Sequence, residues 1–220
     1  MASGESMCLK TSTFTNEQIA ENFAKDLDET IWKTRGARFI AARRLFFRDR
    51  SSVVSLVLIS LYITFFTLFS AFYESDIDTE HEKMLDLLSI TASIGLIAFS
   101  LIEYASDHQL NSNDLHNNAI ALSKLRQRLK FARICGDQER IFQVAEEYEM
   151  EVEKTFKNHA PKDYRMFCIY KLKPSTKIGQ VGWLVWYGVF WAYYWFTEFF
   201  IYILLCTGIP VVFVREFLAF

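Results

Sequence analysis

The stretch VVSLVLISLYITFFTLFSAFY, Val53 to Tyr73, decides the fold: 21 residues without a charge, 13 of them Leu, Ile, Val or Phe. At about −0.3 to −0.6 kcal/mol each, those 13 contribute roughly −4 to −8 kcal/mol to insertion in a bilayer, enough to absorb three serines and two threonines. Working outward, a second uncharged run, Leu87 to Ile102, follows across the short acidic loop Glu74 to Lys83. Its 16 residues span only with snorkelling ends or local thinning, so the run reads as the return leg of a helical hairpin. A third block, Val181 to Val214, has 34 residues with Glu198 as its one interior carboxylate. That is too long for one untilted span and too short for two with a turn. A helix from about Gly179 to Cys206 is expected to cross and break at Gly208-Ile209-Pro210, with Val211 to Phe220 on the interface; the alternative is a re-entrant hairpin.

These blocks sit in a chain of 220 residues with 24 Lys and Arg against 26 Asp and Glu, 51% hydrophobic. A soluble core is assembled from many short periodic segments, not from three long ones. Near-neutral charge argues against a dedicated nucleic-acid binder, and 8 Gly with 3 Pro against a disordered or collagenous chain. Cys8, Cys135, Cys168 and Cys206 have no metal spacing and read as free thiols facing a reducing compartment. The first 30 residues are acidic and lack an apolar run, so no cleavable signal peptide is expected.

Lys and Arg near the span ends set the orientation. Lys33, Arg35, Arg38, Arg43, Arg44, Arg48 and Arg50 precede the first span, and the loop after it carries Lys83 alone against five carboxylates. The N-terminus is therefore expected in the cytoplasm, and Tyr104 to Gln180, with its 13 basic residues, beside it. The parts are then cytoplasmic N-terminal amphipathic helices (1–50), a transmembrane hairpin (51–103), a cytoplasmic helical region (104–178) and a C-terminal hydrophobic segment (179–220). The fold class is an all-α integral membrane protein with an additional C-terminal transmembrane or re-entrant helix.

In the polar parts, Thr15-Asn16-Glu17 opens a helix with Ile19, Phe23, Leu27 and Ile31 recurring every four residues, which Gly36 is expected to interrupt. Leu115, Ala119, Leu122, Leu125 and Leu129 carry the second span's helix onward until Gly136-Asp137 ends it. A further helix aligns Ile141, Ala145, Tyr148, Val152 and Phe156. Such stripes must pair with each other, with the N-terminal helix or with a second subunit, and self-association is the economical expectation. A polar turn then opens a short helix from Lys162 to Lys171, and Pro174-Ser175 leads into the third block.

Trp32-Lys33-Thr34-Arg35-Gly36-Ala37-Arg38-Phe39-Ile40-Ala41-Ala42-Arg43-Arg44-Leu45, then a Ser-initiated span, a second short span, a cytoplasmic helix and Asn158-His159…Asp163-Tyr164 together resemble the SLATT family. The form Trp-Lys-Thr-x-Gly-x-Arg-Phe looks most like its reverse-transcriptase-associated branch. The resemblance covers about residues 15 to 170, and the block from Val181 departs from a two-span pattern. It implies a bacterial conflict-system effector in the inner membrane, encoded beside a nucleotide second-messenger synthase or reverse transcriptase. Such effectors oligomerise, open a pore and arrest or kill an infected cell. A non-conducting anchor that docks the partner enzyme is the rival reading.

A pore needs polar stripes. Ser60, Thr64, Thr67 and Ala71 share one face of the first span, and Ser89, Ser93 and Ser100 one face of the second; tight helix packing is the bland alternative. Glu103, with Asp107, would form an acidic ring in an oligomer or an ordinary solvated helix end, and Glu198 is a further pore-lining candidate. Trp32, Arg35, Arg38, Arg43, Arg44, Asn158, His159 and Asp163 are the family-motif and regulatory candidates. The arginines read first as a topology signal and secondarily as a phosphate or nucleic-acid site. His159 and Asp163 read as a cap tying the turn to the arginine-rich helix rather than as a metal or acid–base pair. No GxSxG, HExxH, P-loop or GxGxxG is present in the chain, so neither an enzyme nor a cofactor is expected.

Overall fold

The computed structural model describes residues 16–72, 79–155, 158–171 and 177–218. The elements there are all helical: α1 (Asn16–Phe72), α2 (Thr79–Ala105), α3 (His108–Cys135), α4 (Gln138–Glu153), α5 (Pro161–Lys171) and α6 (Lys177–Leu218). Thr15 of the first cap, most of the acidic hairpin loop, Phe156 of the α4 stripe and Pro174-Ser175 lie outside the described residues. Two stretches, within Gln18–Phe69 and Asp86–Cys135, are long and apolar enough to cross a membrane. The second is not buried at all within the chain, and Leu87, Ile90, Ile94, Ile97 and Leu101 stand exposed along α2, as lipid-facing side chains must.

Three local expectations are corrected. Gly36 does not interrupt α1, which runs 57 residues through it. A Cβ at Gly36 would fall 2.1 Å from the Phe167 ring, so the glycine makes room for α5 rather than ending the helix. The helix of the second span does not continue into α3. It stops at Ser106, and Asp107 turns the chain with φ 46°, a left-handed conformation that Asp tolerates. Nor does Gly208-Ile209-Pro210 break the third block, since α6 carries Pro210 inside its 42 residues. Pro210 forfeits one ladder bond, which a helix packed in lipid or protein tolerates. Of the pairings open to the amphipathic stripes, the chain makes those with each other and with the N-terminal helix, and most of the stripe residues are buried there.

That burial occurs in the first of two compact units, made of α1 up to Arg35, α3 from Asn118, and α4. Its core holds Ala24, Leu27, Ile31, Leu122, Leu125, Leu129, Ala132, Ile141 and Val144. Ile19 and Phe23, expected on the buried stripe, are exposed, and Phe23 stacks on Phe142 at 5.7 Å. Arg133 pairs with Glu21 at 2.7 Å and Arg126 with Asp28 at 2.7 Å, so α3 runs antiparallel to α1 here. Arg128 on Glu147 makes α4 antiparallel to α3 in turn. The α3–α4 turn is written in the sequence: Gly136 takes φ 66°, Asp137 N–H reaches the Ala132 carbonyl and Gly136 N–H that of Arg133. The Asp137 carboxylate then accepts from Arg140 N–H and caps α4.

The second unit holds α1 from Gly36, α2, α3 up to Asn117, α5 and α6. Ala41, Ala42, Leu45 and Leu115 form its small α1–α3 core. Paired contacts set the helix directions. Arg44 meets Glu198, Arg48 meets Tyr202 and Ser55 meets Cys206, so α6 runs parallel to α1. Ile169 meets Trp183 and Lys162 meets Glu198, so α5 and α6 form an antiparallel hairpin.

Candidate functional site

Arginines at spacing four on α1, Arg44 and Arg48, face a tyrosine, a carboxylate and a second tyrosine at the same spacing on α6: Tyr194, Glu198 and Tyr202. A spacing of four keeps side chains on one helical face, so these two ladders meet along their length. The Arg44 guanidinium is a fork with two targets. Nε and Nη2 donate to the two oxygens of Asp163 at 3.0 and 3.1 Å, and Nη1 donates to both oxygens of Glu198 at 3.4 Å. Planar bidentate pairing of this kind is what arginine supplies and lysine does not.

Asp163 is fully buried and saturated with donors. It sits at the third position of α5, behind Pro161 at the first, and its Oδ2 reaches back to Ala160 N–H at 2.9 Å, half of a capping box. Tyr194 donates its hydroxyl to Oδ1 at 2.7 Å. One carboxylate thus starts α5, anchors it to α1 and fastens it to α6.

Glu198 is 8% exposed. Besides Arg44 it faces Arg48 Nη1 at 3.7 Å and pairs with Lys162 of α5. Burial first, and the Arg44 charge second, hold the Lys162 ammonium below its ordinary pKa. From Arg48 the network continues. Arg48 Nε donates to the Tyr202 hydroxyl at 3.3 Å, which donates to Glu103 of α2 at 3.1 Å. His108, opening α3, lies 3.5 Å from the same carboxylate. Three cations (Arg44, Arg48, Lys162) and three carboxylates (Glu103, Asp163, Glu198) so join four helices in a nearly neutral cluster, and His108 brings in α3 as the fifth. Buried charges persist only when paired and hydrogen-bonded like this.

Of the sequence candidates, Arg44, Asp163, Glu198 and Glu103 come together here. Arg43 points to the surface and Arg38 is buried in the same unit. Trp32 and Arg35 belong to the first unit, where burial and the like charge of Arg126 lower the Arg35 pKa. The Asn158 side chain accepts from His159 N–H, and the His159 ring stacks on Tyr164 at 6.4 Å. Asp107 is exposed at its turn. Ser60, Thr64 and Thr67 are exposed on α1 and Ser89, Ser93 and Ser100 half-buried on α2. Thr64 donates to the Ser60 carbonyl, Thr67 to Ile63, Ser93 to Ser89 and Ser100 to Ile97. Among the described residues no three His, Cys, Asp or Glu side chains converge as a metal site requires. Arg48, Lys162, Tyr194, Tyr202 and His108 were not singled out in the sequence as site residues. The signal that finds Arg48, Tyr194 and Tyr202 is the matching period of four on α1 and α6.

Two spans long enough to cross a bilayer, a separate unit of packed helices and an ion cluster where five helices meet define an all-α membrane protein. The chain belongs to the SMODS and SLOG-associating 2TM effector domain family 5, whose model matches residues 20–214. The match runs through α6, so the third block is part of the family domain and not an addition to it, which corrects the narrower extent read from the motifs. The protein is accordingly a membrane effector of a conflict or defence system. No curated protein and no solved structure matches the chain.

Proposed function

We propose that this effector oligomerises in the bacterial inner membrane with its N-terminus in the cytoplasm, and opens a pore or disrupts the bilayer once infection is signalled. The signal comes from a partner enzyme, a reverse transcriptase or a nucleotide second-messenger synthase, or from its nucleic-acid or nucleotide product. The outcome is growth arrest or death of the infected cell.

The observation that carries this reading is the placement of Ser60, Thr64 and Thr67. The inward face of α1 in this region is Ser52, Ser55, Ile59 and Phe66, and the hydroxyl stripe lies about 120° around the helix from it. It is therefore available to neighbouring copies. The threonine hydroxyls already bond to their own helix's carbonyls, so the stripe tolerates lipid while closed and can exchange those bonds for water when a lumen forms. Ligand or partner contact with the polar helices opens the pore only by binding the open arrangement better than the closed one.

The test is membrane potential, followed with a depolarisation-sensitive dye in bacteria carrying the chain and its genomic neighbours during phage infection. Depolarisation that requires both chain and trigger, and that Thr64→Lys changes in size or abolishes, supports the pore. Defence that works with potential intact, or leakage indifferent to Thr64→Lys, refutes it and favours a membrane anchor that docks the partner enzyme.

A further inference from the structure

The contacts of α6 fix its level along the bundle. Glu198 lies beside Arg44, Tyr202 beside Arg48 and Cys206 beside Ser55, 3.4 Å apart. Val53, where the uncharged span begins, is therefore level with about residue 205 of α6. Residues 190–203 of the aromatic block run beside α1 between Gly36 and its span, not beside the span itself, and residues 181–189 continue the same helix away from the span. At that level α3 also lies on α1. The Ser112 hydroxyl donates to the Ala42 carbonyl and the His116 ring packs on Phe39, while α3 turns Asn113, Asp114 and Asn117 outward, exposed. Carboxylates and amides do not face hydrocarbon, so this level is in water. One side of it is polar, as expected there. The other side is α6.

Among the exposed residues of α6 ahead of the span, Trp186, Val189, Tyr193, Phe196, Phe200 and Ile203, between 48% and 70% exposed, form one continuous row. They recur at intervals of three, four, three, four and three, the period by which one helix sets its side chains into the holes of another. They expose together on the order of 700 Å², close to the about 800 Å² per partner that a specific interface buries. An apolar stripe of this size in water needs a cover. It carries no charge that would select a charged partner, and its helical period calls for a helix of the same period.

We propose that this stripe is the seam by which one copy of the chain packs against a second copy, outside the bilayer and just before the spans. The inference names the contact surface of the oligomer in the proposed function and rests on that reading only for the presence of a second copy. It places assembly on α6, leaving the hydroxyl stripe of α1 free to line a lumen.

The experiment uses the full chain in native membranes. Val189→Cys is oxidised and compared with the unsubstituted chain, whose exposed Cys135 sets the background. A covalent dimer at least ten-fold above background is expected, and no increase overturns the proposal. Tyr193→Glu with Phe196→Glu is then cross-linked through its lysines before solubilisation. At least a ten-fold loss of cross-linked oligomer, with the chain still in the membrane pellet and still helical, is expected. An unchanged oligomer overturns the seam, and loss of the chain from the membrane overturns it by placing the stripe in lipid. Where the dimer forms but the membrane does not depolarise, the pore reading fails and the seam stands.

Discussion

Replacing Arg44 with Met keeps the unbranched apolar stem and removes the fork that donates to Asp163 and Glu198. Glu198 retains Arg48 and Lys162, but Asp163, with 0% exposure, loses its guanidinium and keeps only the Tyr194 hydroxyl and Ala160 N–H. Breaking a buried pair by removing one partner costs about 3–5 kcal/mol because a charge is stranded, a large share of the roughly 5–15 kcal/mol that holds a fold together. We expect a loss of that size in denaturant titrations of the detergent-solubilised chain, followed by helical circular dichroism and tryptophan fluorescence. Asp163→Asn introduced together with Arg44→Met removes the stranded charge: the amide oxygen still accepts from Ala160 N–H, and the amide nitrogen donates to the Tyr194 hydroxyl, which accepts in place of donating. The double variant should return at least half of the loss, giving a coupling of at least about 1.5–2.5 kcal/mol in the double-mutant cycle, to which the cost of Asp163→Asn alone adds. A single variant within about 0.5 kcal/mol of the parent, or a double variant no more stable than the single, would refute the cluster as a buried network.

Gly36→Ala should destabilise by about 1–3 kcal/mol through collision with the Phe167 ring, even though alanine gains about 1 kcal/mol of helix propensity; Phe167→Leu in the same chain should recover part of the loss in the same titration. The Arg126 hydrogen bond lowers the Asp28 pKa below its ordinary 3.8, so that stabilisation is full above pH 3.8 and is lost as the carboxylate protonates below it. The stability gap between the parent and Arg126→Met, measured by thermal melts at a series of pH values, should therefore narrow as pH falls through 3.8; a constant gap refutes the pairing. Tyr202→Phe keeps the ring against Phe99 and Phe199 but removes the hydroxyl that joins Arg48 to Glu103. Losing about 1–2 kcal/mol from the closed arrangement should raise leakage without trigger by about 5- to 30-fold in dye-loaded vesicles, and unchanged leakage counts against the cluster as the closing element.

Helical class and hairpin were legible because uncharged runs of bilayer length have few other uses, and the buried stripe of α3 because its leucines keep helical spacing. Gly136-Asp137 was legible because a left-handed residue followed by a capping carboxylate is local chemistry. Gly36 and Pro210 misled for one common reason. Both weaken a helix in isolation, yet α1 and α6 run on through them, and at Gly36 the Phe167 ring lies against the glycine, a contact that no local rule contains. Asp107 misled in the opposite direction, since nothing in a run from Leu101 to Leu115 announces a left-handed turn. The level of α6 was illegible because a helix apolar on every side has no hydrophobic face to set its register. Its polar residues set it instead: Tyr194, Glu198 and Tyr202 match the arginine spacing on α1, so Glu198 reads as a register mark and not as an isolated carboxylate in an apolar run.

That register mark also bears on how small a stimulus the proposed effector needs. Moving a two-state protein from one part in a hundred open to one part in a hundred closed takes about 5.5 kcal/mol of differential binding. Stranding one charge of the cluster is worth about 3–5 kcal/mol. The cluster takes side chains from α1, α2, α3, α5 and α6, with Asp163 and Lys162 contributed by the 11-residue α5. A partner or ligand that lifts α5 from the Arg44 fork would remove Asp163 and Lys162 together, leaving Arg44 and Arg48 to share Glu198. The closed arrangement would lose its anchor at the edge of the span while each helix kept its own backbone hydrogen bonds. On the proposed reading most of the switching free energy is therefore held in one buried cluster, and the trigger has to compete with the contacts of a single short helix rather than with the packing of the transmembrane hairpin.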